Sequence, residues 1–124
     1  MHPTRLDAEI AGHILDKGGI TYNLRAKNHA TWGYSVSPYK SREVRIPVED
    51  FGAGYVAAYR RTNEDLLTKA RHYLGGWYNK ANNLVYLDVS QVFPVVAAAL
   101  LVGRESQQQA VYDLLNEEEI PCCQ

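Results

Sequence analysis

His29, Thr31 and Arg42, with Lys27 and Lys40 close by in the chain, are the residue types of a metal-independent ribonuclease. An imidazole would act as general base, and cations would stabilise the phosphorane. The same stretch, "NHATWGYSVSPYKSREVR", interleaves Trp32, Tyr34 and Tyr39 with Lys40, Arg42 and Arg45, which offers π faces to bases and charge to phosphates. Trp32, Tyr34 and Val36 share one face of an alternating segment, however, so core packing is expected of them. A sequence pI near 6.4 also argues against a strong backbone binder. Asp88 and Ser90 are expected where a strand enters a helix, a place where α/β folds bind ligands. No GxSxG elbow or partnered base accompanies the serine, and capping of the turn is the expected role. His2, His13, His29 and His72 show no metal-ligand spacing, and the glycine pairs lack the context of a phosphate loop, so neither metal nor cofactor is expected.

Nine Tyr against two Phe is an unusual balance. Tyrosine combines apolar area with a polar tip and few rotatable bonds, which suits a recognition surface. Tyr39 and Tyr78, beside loops, and Tyr59, next to the basic pair Arg60 and Arg61, are the expected binding residues.

A chain of 124 residues builds one core that buries roughly 65% of the unfolded surface. The N-terminal "MHPTRLDAEIAGHILDKGG" has no continuous apolar segment of the signal-peptide kind, and the longest apolar run, 92–102, falls short of the roughly 20 residues a bilayer needs. A cytoplasmic protein without membrane contact is expected. Cys122 and Cys123 are adjacent, so they cannot staple a loop together and have no spaced partner for a metal. The net charge of −1 hides a segregation: residues 17–80 hold eleven Lys and Arg against five acids, whereas residues 81–124 hold one Arg against six acids. Such asymmetry either orients a partner or is neutralised internally.

These side chains need elements to position them. Thr4 and Asp7 start a helix that Gly18-Gly19 ends, carrying Leu6, Ile10 and Ile14 at helical spacing. The period then becomes two around Ile20, Tyr22 and Leu24, and again around Trp32, Tyr34 and Val36, predicting a pair of antiparallel strands. Val44 and Ile46 predict a third short strand. A helix with Phe51, Tyr55 and Tyr59 on one side is expected next, then one opened by Thr62 and Asp65 with Leu66, Leu67, Ala70, Tyr73 and Leu74 facing the core. "GGWYN", a turn at "KANN" and "LVYLDVS" predict a hairpin. A helix from about Phe93 to Glu105 follows, with Pro94 in its first turn, then a last strand at "AVYDLL" parallel to "LVYLDVS". The fold class is therefore α+β: a single domain over residues 1–124 with a mixed, mainly antiparallel sheet, an N-terminal helix, two central helices and a C-terminal β-α-β crossover. Residues 1–3 and 117–124 are expected to be flexible tails.

The segment "FPVVAAALLVG" is apolar on nearly every side, so it is expected to be dry, either sandwiched within the chain or set against another subunit or partner. From Leu74 onward the GGW strand, the Y-L-D-V-S strand and the "QAVYDL" strand resemble small proteins encoded by actinobacterial phages and related mobile elements. The helix of such proteins is more polar than residues 95–102 here. The resemblance implies phage origin and a host-cell cytoplasm, and it brings no catalytic residues. The expected function is accordingly a non-enzymatic accessory protein that binds and modulates a host macromolecule, foremost a host protein, with a homodimer through residues 93–103 as a further option. The alternative is a small ribonuclease-like toxin or RNA-binding module using the basic strands of residues 27–45.

Overall fold

The first helix forms where its capping residues put it. The Thr4 Oγ1 accepts from the Asp7 amide at 3.1 Å, and Asp7 Oδ2 accepts from the Thr4 amide at 2.8 Å. This reciprocal box opens α1 (Arg5–Lys17), and Gly18, at φ 93°, closes it in the left-handed conformation that glycine adopts without strain. The computed structural model of the chain describes residues 2–122. After α1 come β1 (Gly19–Asn23), β2 (Asn28–His29), β3 (Tyr34–Val36), a 3-10 turn (Lys40–Arg42), β4 (Val44–Pro47), α2 (Ala53–Thr62), α3 (Glu64–Leu67), β5 (His72–Asn79), β6 (Leu84–Phe93), α4 (Val96–Glu105), β7 (Ala110–Asp113) and β8 (Glu118–Pro121). No helix among the described residues is long and apolar enough to cross a membrane.

The strands form one α+β sheet in the order β2-β1-β5-β6-β3-β7-β8, with β4 pairing the first half of β6 and β3 its last three residues. Every pair is antiparallel. All the helices lie on one face. Val85, Leu87 and Val89 of β6 pack with Ile10 and Ile14 of α1, Val56 and Tyr59 of α2, and Leu66 and Leu67 of α3. Phe93, on the same side of that strand, joins Val36, Val111 and Ala99 of α4 in a second cluster. Glycine permits the closest approaches, since a Cβ at Gly76 would lie 2.5 Å from Ile14 Cδ1 and one at Gly103 would lie 2.6 Å from Cys122 Sγ.

Several expectations change. The segments of β1 and β3 do not pair with each other; β5 and β6 lie between them, and residues 30–33 carry the chain across. The helix expected from Thr62 to Leu74 is a single turn, because His72–Asn79 is the strand between β1 and β6, and eight cross-strand pairs with β6 outweigh local helical spacing. Tyr55 lies 46% exposed, while Val56, Ala57 and Tyr59 make the buried side of α2. Phe93 stays in β6 opposite Tyr34, so α4 starts at Val96 and Pro94 precedes it. The crossover does bring β7 into the direction of β6, but β3 is inserted between them and pairs with both, so no parallel pair forms. Residues 118–121, expected in a tail, pair with β7 as β8, and Cys122 behind them is 1% exposed. Met1, Cys123 and Gln124 lie outside the described residues.

Candidate binding surfaces

The residues expected to recognise a partner serve mostly as internal joints. Tyr59 is 5% exposed and donates its hydroxyl to the Arg42 carbonyl at 2.8 Å. Burial, then the nearby Asp88 carboxylate, push its phenol well above the ordinary range. Arg60 donates Nε to Asp7 Oδ1 at 3.0 Å and Nη2 to Asp7 Oδ2 at 2.8 Å, which ties α2 to the first turn of α1. Tyr39 places its hydroxyl 2.7 Å from Nε2 of the buried His72. His72 Nδ1 faces the Ala70 carbonyl at 2.8 Å, an acceptor only, so Nδ1 carries a proton. Tyr78 packs against the first cluster, and Arg61 is exposed.

The ribonuclease set converges only in part: His29 and Thr31 line one cleft, and Arg42 lies apart from it. His29 lies on the two-residue edge strand β2, its ring 4.6 Å from that of His13 on α1 and edge-on to Tyr22. Arg42 is on the other side of β6, where its Nη1 and Nη2 donate to the Asp65 carboxylate at 3.0 and 2.8 Å, and Nη1 also donates to Asn63 Oδ1. Strands β1, β5 and β6 separate them, a span of roughly 15 Å or more at about 4.8 Å per strand. His29, Thr31 and Trp32 line a cleft with Asn28, Arg71, Tyr73, Val92 and Pro94 where residues 30–33 cross the sheet. Trp32, expected in the core, is 62% exposed, because its strand begins only at Tyr34.

The sheet face that carries no helix presents what sequence reasoning missed. Trp77 and Tyr86 are cross-strand partners with ring centroids 5.4 Å apart, and Arg45, the next partner along, holds its guanidinium 5.3 Å from the Tyr86 centroid. Beside them Asp88 and Ser90 sit within β6, not at a strand end, so neither caps α4. Ser90 donates to Asp88 Oδ1 at 2.7 Å, and Ser37 Oγ lies 3.1 Å from Ser90 Oγ. Burial raises the Asp88 carboxyl above the usual range, against the hydrogen bonds of Ser90 and Ser37, and Glu43 opposite adds like charge. The signal for this face was available in the alternation of Tyr73, Gly75 and Trp77, once β5 is recognised as a strand throughout.

The apolar helix α4 is covered on one side only. Ala99 and Gly103 are buried against the sheet, whereas Val95 and Leu101 are each 58% exposed and Ala97 is exposed between them. The chain itself therefore does not sandwich this helix. On the hairpin of β7 and β8, Tyr112, on the side away from α4, and Leu115, in the turn, are exposed, as are Glu117, Glu118 and Glu119. The charge segregation is not neutralised by direct pairing: among the described residues, the ion pairs are Arg5–Glu9, Lys17–Asp16, Arg42–Asp65, Arg45–Glu43 and Arg60–Asp7, and none reaches residues 81–122. No cluster of three or more His, Cys, Asp or Glu with metal-holding geometry occurs among the described residues.

Comparison with family models, curated proteins and solved structures finds no match. What the fold defines is an α+β protein with, among the described residues, four helices on one face of an antiparallel sheet.

Proposed function

We propose that this chain is a non-enzymatic accessory protein that binds a host protein through the outer side of α4 and the acidic hairpin of β7 and β8. The observation that carries the reading is the exposed aliphatic set Val95, Ala97 and Leu101 at and along α4, together with Glu117, Glu118 and Glu119 on the β7–β8 hairpin, which have no ion-pair partner among the described residues. Exposed aliphatic groups on a helix together with carboxylates on the neighbouring hairpin suit a protein surface that offers aliphatic groups and Lys or Arg, and the carboxylates repel a phosphate backbone. The "GGWYN", "YLDVS" and "QAVYDL" strands support a phage or mobile-element origin, and with it a host-cell cytoplasm as the place of action.

Immobilised protein incubated with bacterial lysate tests this, alongside Leu101→Glu and a Glu117→Gln, Glu118→Gln, Glu119→Gln triple variant. The wild type is expected to retain a host protein that both variants release, with unchanged circular dichroism spectra. Equal retention by all three sinks the reading. Sedimentation as a dimer that Leu101→Glu converts to monomer would reassign the aliphatic set to self-association.

A second reading, single-stranded RNA on the helix-free face, is favoured by the Trp77, Tyr86 and Arg45 stack alone. It predicts quenching of tryptophan fluorescence by an oligonucleotide, lost in Trp77→Ala and weakened by salt.

A further inference from the structure

The first turn of α1, the turn between β1 and β2, Arg60 of α2, and α3 line an open cleft of about 440 Å³ at the margin of the first core cluster. Its floor is aliphatic: Leu6 and Leu24 are half-buried, and Leu67 is buried below them. Its rim is charged by Arg25, Lys27, Arg60 and Glu64. The Arg60 charge is spent on Asp7, whose ion-pair partner among the described residues is Arg60 alone. Arg25 donates Nη2 to the His72 carbonyl at 3.2 Å, which holds the guanidinium in place without neutralising it. Lys27, at φ 58° in the tight turn, has no ion-pair partner among the described residues. Two unspent cations against Glu64 leave the cleft with one net positive charge.

We propose that this cleft binds a small amphipathic monocarboxylate, its chain over Leu6, Leu24 and Leu67 and its carboxylate between Arg25 and Lys27. Volume and lining match a small-molecule site, with an apolar body and few convergent polar groups. One net charge selects a monoanion, since a phosphate dianion would overcompensate it and face Glu64. The proposal is independent of the protein-binding surface, which lies on α4 at the far end of the sheet.

Titration of the isotope-labelled protein with octanoate, followed by amide and methyl chemical shifts, tests it. Octanoate is expected to give saturable shifts at Leu6, Leu24 and Leu67, and octanol, acetate and octyl phosphate to bind about tenfold or more weakly. Lys27→Gln, and Arg25→Gln with Lys27→Gln, should reduce octanoate binding toward that of octanol while leaving octanol binding unchanged. Lys27 is exposed with no ion pair among the described residues, so Lys27→Gln is expected to keep the wild-type melting temperature, whereas the double variant also gives up the Arg25–His72 carbonyl hydrogen bond. Equal affinity for octanoate and octanol, tighter binding of octyl phosphate, shifts that map elsewhere, or an unaffected Lys27→Gln variant would each overturn the proposal.

Discussion

Asp7, whose side chain is fully buried, grips Arg60 across the junction of α1 and α2 while it also closes the capping box with Thr4. One carboxylate thus satisfies both the start of a helix and a bridge between helices. Removing it strands a guanidinium that is only 28% exposed. Asp7→Ala is therefore expected to lower the free energy of urea unfolding by about 3 kcal/mol, the lower end for breaking a buried pair.

The same contact makes stability depend on acid. Burial opposes ionisation of Asp7, but the hydrogen bonds from Arg60 and Thr4, together with the guanidinium charge, hold its carboxyl below the ordinary 3.8. A depressed folded value means that this contribution is complete above 3.8 and is lost as pH falls through the lower folded value. In Asp7→Asn that part of the acid-induced loss should vanish from unfolding curves measured across this range. An unchanged profile would contradict the assignment.

Gly75 and Gly12 should respond oppositely to alanine. A Cβ at Gly75 would collide with Asp88 Oδ1 and come within 2.7 Å of Ser90 Oγ, in the middle of a central strand. Gly75→Ala is expected to cost about 1–3 kcal/mol by overpacking. Gly12 is an exposed position inside α1 with nothing within 4 Å of its Cβ position, so Gly12→Ala should add about 1 kcal/mol through helix propensity. Thermal melts of the two variants check both signs.

His13, whose ring lies 4.6 Å from that of His29, resists protonation. Burial, then the charges of His29 and Lys17, lower the His13 value below 6.5, and Asp16 opposes them only in part. The unfolded chain then binds more protons, so stability is present above 6.5 and falls as pH drops through that value toward the folded one. His13→Gln should flatten the stability curve in this window. A curve that keeps its slope in the variant would assign the effect elsewhere.

Asp88 has the reverse sign. Its raised value means that the native state binds this proton more tightly than the unfolded chain does, so its contribution is full below 3.8 and is lost as pH rises through the folded value. Asp88→Asn keeps an acceptor for Ser90 and removes the charge facing Glu43, and it should be more stable than wild type at neutral pH. The difference should close in acid. Equal stability at neutral pH would show that the carboxylate is well solvated.

The local rules decided much of this protein. Thr4, Asp7 and Gly18 mark both ends of α1 because a capping box and a left-handed glycine are satisfied within a few residues of chain. The turn between β5 and β6 follows likewise from Asn79 and Asn82, whose side-chain oxygens accept the amides of Ala81 and Leu84. Partnership across the chain is another matter. Tyr73 and Leu74 fit a helix stripe and a strand alternation equally well, and only the pairing of His72–Asn79 with Leu84–Gln91 selected the strand. Tyr59, Arg60 and Tyr39 looked like recognition residues because nothing in the sequence reveals that the Arg42 carbonyl, Asp7 and His72 take up their polar ends. Sequence determined which segments are greasy, charged or capped, since those properties act over one or two turns. Tertiary structure alone decided which groups are spent on each other and which remain for a partner, because hydrogen bonds and buried area are set by residues distant in the chain.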